Sequence, residues 1–62
     1  MSKIEALKEQ IEKTKVILED SRENLEKNPN DYSAQLLMLS TENYLGDLIK
    51  QLHEEEQQHI SD

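Results

Sequence analysis

Apolar residues recur at seven-residue intervals through the first half of the chain. Two columns follow this spacing. The first column is Ile4, Ile11, Leu18 and Leu25, and the second is Leu7, Thr14 and Ser21. A repeat of this kind places both columns on one side of an α-helix, where they form a seam against another helix. The pattern therefore predicts an amphipathic helix whose seam is partly made of hydroxyl side chains.

Charged residues repeat with the same period on the rest of that helix. Glutamates stand at positions 5, 12, 19 and 26, and each of the first three is followed three residues later by a base, namely Lys8, Lys15 or Arg22. Residues three apart are neighbours on a helix surface, so these pairs favour the helix and face solvent.

The ends of the helices follow from local signals. Ser2 with Glu5 has the spacing of a capping box, which predicts that helix 1 spans about residues 3–27. Pro29 forces the residue before it out of the helical region, and Asn30 or Asp31 can cap a second helix. We expect a turn at 28–31, helix 2 from about 31 to 57, and a frayed acidic tail to residue 62, all within one domain spanning residues 1–62.

Helix 2 has a broad apolar face. The predicted face consists of Leu37, Met38, Thr41, Tyr44, Leu45, Leu48 and Leu52. The short turn requires the two helices to pack antiparallel. This register places Leu25 near Ala34, Ile11 near Leu48 and Leu7 near Leu52, and the seam threonines are expected to bond to carbonyls of their own helix. The fold class is all-α, an antiparallel two-helix hairpin.

A lone hairpin leaves apolar side chains uncovered. Leu36 to Leu39 are apolar all the way around one helical turn, and three further apolar residues lie off the seam. The residues expected to form a self-association or partner face are Val16, Ile17, Leu36, Leu37, Met38, Leu39 and Ile49. We expect a second copy to cover them in a homodimeric four-helix bundle, although part of this face could instead bind a different protein.

Gly46 stands in the middle of helix 2, where glycine costs about 1 kcal/mol relative to alanine. Two explanations are open. Another helix could approach closely at this position, or the position could simply be exposed.

Composition narrows the classes of function. The 62 residues contain no cysteine and no apolar run of the roughly 18 residues needed to span a membrane, and the net charge is −7. Residues 1–28 have six bases against seven acids, whereas residues 29–62 have one base against seven acids. An acidic surface repels nucleic acids and anionic lipids. We expect a cytoplasmic protein that binds neither nucleic acid nor membrane directly, and whose partner protein could have a basic surface.

No arrangement of residues predicts an enzyme, a cofactor or a metal. His53 and His59 are six residues apart and so lie on different faces of a helix, although Glu56 and His59 have the spacing used in carboxylate-bridged metal bundles. His53 followed by Glu54 resembles, over two residues, the phosphoacceptor site of histidine-kinase dimerisation domains. Metal binding and a phosphorelay role are therefore remote alternatives.

Two functional hypotheses follow from these observations. The first is a small acidic interaction or regulatory module that forms a homo-oligomeric bundle and binds a partner protein. The second is an acidic decoy, such as a DNA mimic or phage-type inhibitor, that blocks a basic nucleic-acid-binding surface of its target. The residues expected to face a basic partner are Glu42, Asp47, Glu54, Glu55 and Glu56.

Overall fold

Two helices pack against each other as a hairpin in the computed structural model, which describes residues 2–61 and the side chains of residues 2–58. Helix α1 spans Lys3–Lys27 and helix α2 spans Tyr32–Ser61. The all-helical hairpin predicted from the sequence is confirmed.

The first helix begins and ends where its local signals predicted. The Ser2 side chain accepts a hydrogen bond from the Glu5 backbone N–H at 3.2 Å, so the serine caps the helix. Asn28 ends it with φ −143° and ψ 82°, outside the helical region, as a residue preceding proline requires.

The turn between the helices is held by hydrogen bonds. The Asp31 N–H donates to the carbonyl of Asn28 at 3.1 Å, and the Asp31 carboxylate accepts from the Ala34 N–H at 3.1 Å, which caps α2. The Gln35 side-chain amide also donates to the Pro29 carbonyl at 2.9 Å. Of the two capping residues considered, the structure uses Asp31.

The second helix is longer than predicted. It continues to Ser61, four residues beyond the expected end near residue 57, so the segment expected to fray is helical as far as residue 61. Asp62 lies outside the described residues. No glycine or proline follows Gly46, and the sequence therefore has no residue that would stop the helix earlier.

The core lies toward the end of the hairpin away from the turn. Leu7, Ile11 and Leu48 form a buried cluster against which Leu45 and Leu52 pack, in agreement with the predicted register. Lys3 and Glu55, which form an ion pair at 3.0 Å, extend the same alignment of the two helices.

The side chains of one seam column are more buried than those of the other. All three residues of the second column are buried, and so are Ala34, Thr41 and Leu48, which recur at the same spacing in α2. In the first column only Ile11 is buried, and the matching α2 residues Met38, Leu45 and Leu52 are partly exposed. One broad face of the hairpin is therefore a row of half-covered apolar side chains.

Each buried hydroxyl is satisfied within its own helix. Thr14 donates to the Gln10 carbonyl at 2.7 Å, Ser21 to the Ile17 carbonyl at 3.0 Å, and Thr41 to the Leu37 carbonyl at 2.6 Å. The bonding predicted for the threonines is confirmed.

Two residues assigned to the core face of α2 lie outside the core. Tyr44 and Leu37 are both about half exposed. The seam follows Thr41, Leu45 and Leu48, and Tyr44 is one residue from Leu45, which turns it by about 100° to the edge of the seam. There its hydroxyl donates to the side-chain oxygen of Gln10 at 3.1 Å.

Candidate interaction surface

An apolar groove of about 470 Å³ lies beside the turn. Its lining residues are Leu25, Tyr32, Gln35, Leu36, Met38, Leu39 and Glu42. Leu36 is 67% exposed and Leu39 is 59% exposed, and Glu42 is the one charged residue of the lining. Concave surfaces of this composition bind apolar side chains of a partner more readily than they bind charged ligands.

The groove forms at this place because the row of half-covered apolar side chains reaches the end of α1. Leu25 and Met38 belong to that row and form the inner wall of the groove. Helix α1 ends at Lys27, so no further turn of helix covers the wall, and Leu39 adds an apolar outer edge. We call the broad side of the hairpin that contains the groove the groove face.

The opposite side, which we call the tyrosine face, has a smaller apolar patch. The Gln10 to Tyr44 hydrogen bond joins the two helices there. Ile17 follows Gln10 by seven residues and Leu37 precedes Tyr44 by seven, so these two exposed residues lie on the same side. This patch is interrupted by the polar bridge, whereas the groove is continuous.

The seven residues predicted to form one self-association face are thus distributed over three parts of the surface. Leu36, Met38 and Leu39 line the groove. Ile49 follows the groove residue Glu42 by seven positions and shares its side of α2, whereas Ile17 and Leu37 lie on the tyrosine face. Val16 is 61% exposed on the outer edge of α1, where its neighbours at seven residues are Glu9 and Glu23.

The acidic residues predicted to face a basic partner are also dispersed. Glu42 lines the groove, and Glu55 is paired with Lys3 and has a side chain only 19% exposed. Asp47 and Glu54 are exposed and seven residues apart, and hence on one side of α2. Glu56 follows Glu54 by two residues, which turns it by about 200° to the other side of the helix. These five carboxylates do not form a single negative surface.

Helix α1 contributes little net charge, because its bases and acids nearly balance. Ion pairs join Lys13 to Glu9 at 3.3 Å, Lys15 to Glu12 at 3.6 Å and Arg22 to Glu19 at 4.0 Å. Two of these are rungs of the predicted ladder. Exposed pairs of this kind contribute only a few tenths of a kcal/mol, so they favour the helix without defining a binding site.

No family model, curated protein or solved structure matches this chain. The groove and the two faces are therefore the basis for any function assigned to it.

Within the described part of the chain, no three His, Cys, Asp or Glu side chains are grouped closely enough to hold a metal ion. His53 is exposed, and the side chain of His59 lies outside the described residues. Neither of the two described helices has an apolar stretch long enough to cross a membrane.

Tyr32, Leu25 and Gln35 line the groove but were not among the predicted site residues. Tyr32 precedes Leu39 by seven residues, the interval that places two side chains on the same side of a helix. That spacing was the signal in the sequence that could have identified it.

Proposed function

We propose that the chain is a non-enzymatic protein–protein interaction module that works as a homodimeric helical bundle and binds a partner protein. The observation that carries the proposal is the apolar groove face, on which leucines are more than half exposed. Fully burying one leucine contributes about 1.5–3 kcal/mol, which is a large part of the stability of a domain of this size.

The shape of the hairpin supports the same conclusion. Its dimensions are 50 × 17 × 12 Å, so it is about one helix thick. Stable domains usually have two packed layers around a core. A second hairpin would supply a second layer over the groove.

The distribution of charge favours this function over an acidic decoy. A decoy requires carboxylates aligned along one surface to match a cleft that binds nucleic acid. The acids of α2 point to several sides, and Glu55 is neutralised by Lys3. In this proposal the groove face binds the second copy, and the tyrosine face, with Ile17 and Leu37, is left for a different partner protein.

The substitution Leu39→Glu tests self-association. We expect it to raise the dimer dissociation constant by about 100-fold or more, because both copies would place a carboxylate in the apolar contact. Sedimentation equilibrium at micromolar concentration measures the effect. The matched control is Val16→Glu, which adds the same charge at an equally exposed position on the outer edge of α1 and should leave the dimer intact. A wild-type protein that sediments as a folded monomer would contradict the proposal.

A further inference from the structure

Three positions of α2 share one side of the helix but differ in the size of their side chains. Tyr32, Leu39 and Gly46 are spaced by seven residues. Tyr32 is 73% exposed, Leu39 is 59% exposed, and a Cβ placed on Gly46 would meet nothing within 4 Å. The row thus has an exposed ring at one end, a leucine in the middle and an open position without a side chain at the other end.

This profile is self-complementary. In a two-fold dimer, if one residue contacts a second residue across the interface, the second also contacts the first. Tyr32 and Gly46 are equally far from Leu39, so antiparallel packing of two copies of α2 places each ring over the other copy's Gly46 and brings the two Leu39 side chains together.

We infer that the groove face binds helix α2 of a second copy, antiparallel, with the two-fold axis at Leu39 and Tyr32 packed over Gly46 of the second copy. This inference rests on the proposed homodimer and specifies its interface. It accounts for Gly46, since nothing within the hairpin requires a glycine there. Helices that pack closely favour small residues at the point of contact.

Charge along α2 supports the same axis. Between Asp31 and Asp47, the segment 32–46 is centred on residue 39 and contains one charged residue, Glu42, in a chain of which 34% is charged. In the antiparallel pair the two Glu42 residues are separated by about 9 Å along the helix axis, close to the ~10 Å over which salt screens exposed charges. The segment itself therefore contributes little repulsion, and the charges nearest to it are those of Asp31, which lies level with Asp47 of the second copy at each end of the contact.

The solvent-exposed apolar groove also favours a helix as its occupant. Leu39 lies on the edge of the groove whose inner wall is Leu25 and Met38. A helix laid along Leu39 in the antiparallel sense brings its own leucine to this wall, and by symmetry the same contact forms twice. The two contacts cover both grooves at once, as a closed dimer requires.

Cysteine cross-linking tests the position of the axis, because the natural chain has no cysteine. Helices in contact have axes about 8–10 Å apart, and subtracting two helix radii leaves roughly 4–5 Å between facing Cα atoms, within reach of a disulfide. The variant Leu39→Cys should therefore oxidise to a covalent dimer. Val16→Cys, equally exposed but on the outer edge of α1, is the matched control and should oxidise at least about tenfold more slowly.

A mixture of two variants tests the direction of packing. Tyr32→Cys and Gly46→Cys, combined in equal amounts, should form a mixed disulfide faster than either variant links to itself. A crossing angle of ~20°, typical of four-helix bundles, displaces this pair sideways by only about 4 Å. All four positions chosen for cysteine are exposed, namely Val16, Tyr32, Leu39 and Gly46. Circular dichroism of each variant verifies that the helices are retained.

Sedimentation of the wild-type protein separates this inference from the function on which it rests. A dimer that links through residue 39 and through the mixed pair supports the inference. A dimer in which Leu39→Cys stays unlinked, or in which the control links equally fast, would overturn the interface and leave the homodimer standing. A monomeric wild-type protein would overturn both.

Discussion

At the scale of single residues, the seam is unusual in its use of small hydroxyl side chains. Ser21 is only 1% exposed, although its side chain is too small to bury itself, so the other helix must approach closely. Ala34, close to the turn in α2, is also small and buried. Near the turn the two helices are held together by close contact of small residues, and farther away by the cluster of larger aliphatic side chains.

This contrast predicts the effect of a larger residue. Ser21→Leu should lower the free energy of unfolding by about 1–3 kcal/mol, because the extra carbons have no room in the seam even though a leucine at a heptad position normally stabilises a helix pair. Urea denaturation followed by circular dichroism measures it. Asn24→Leu, which is exposed on the tyrosine face in the same turn of α1, is the control and should change stability little. A stabilised Ser21→Leu protein would show that the helices are not in close contact there.

At the scale of secondary-structure elements, the second helix depends on one capping residue. The Asp31 carboxylate accepts from the Ala34 N–H, one of the amide groups that have no partner in the first turn of a helix. Asn30 precedes it, is exposed, and is not the capping residue.

Removal of the cap therefore has a predictable cost. Asp31→Ala should lower the free energy of unfolding by ~1 kcal/mol, whereas Asn30→Ala should have a smaller effect. Both variants and the wild-type protein are compared by thermal and urea denaturation at one protein concentration. Equal losses for the two alanines would indicate that the turn, rather than the cap, is what matters.

The ends of the helices could be predicted from the sequence where a single residue determines the local backbone conformation. Ser2 and Pro29 mark both ends of α1, because each acts on the nearest backbone groups and needs no tertiary contact. The end of α2 has no such residue, and the predicted end fell short. Leu36 to Leu39 are apolar on every side, so periodicity could not show which of them face the seam. Only packing against α1 separates Met38, which is partly buried, from Leu37, which is half exposed.

At the scale of the whole molecule, the groove depends on features that are far apart in the sequence. Leu25 lies at the end of α1, and Leu36 and Leu39 belong to α2, so the groove exists only after the chain has folded back. The sequence showed that apolar surface would remain uncovered. Only the structure shows that this surface divides into a continuous groove and an interrupted patch.

The net charge of −7 on each copy predicts how salt affects association. Raising sodium chloride from about 0.1 to 1 M shortens the screening length from ~10 to ~3 Å, which weakens the repulsion between two acidic copies. Sedimentation equilibrium should show a tighter dimer at high salt, and Leu39→Glu should remain monomeric at both concentrations. An acidic decoy would bind a basic target less tightly as salt rises, so a complex weakened by salt would favour that alternative function.

The turn has a further consequence for assembly. Two hairpins could in principle open and exchange their second helices, since every seam contact would be preserved between chains. One way to open the hairpin is to form a continuous helix through residues 28–31. Pro29 has no N–H to donate, and its ring would collide with the carbonyl of Leu25, at a cost of about 3 kcal/mol for each chain. A single proline thus disfavours exchange of helices through a straightened, fully helical chain.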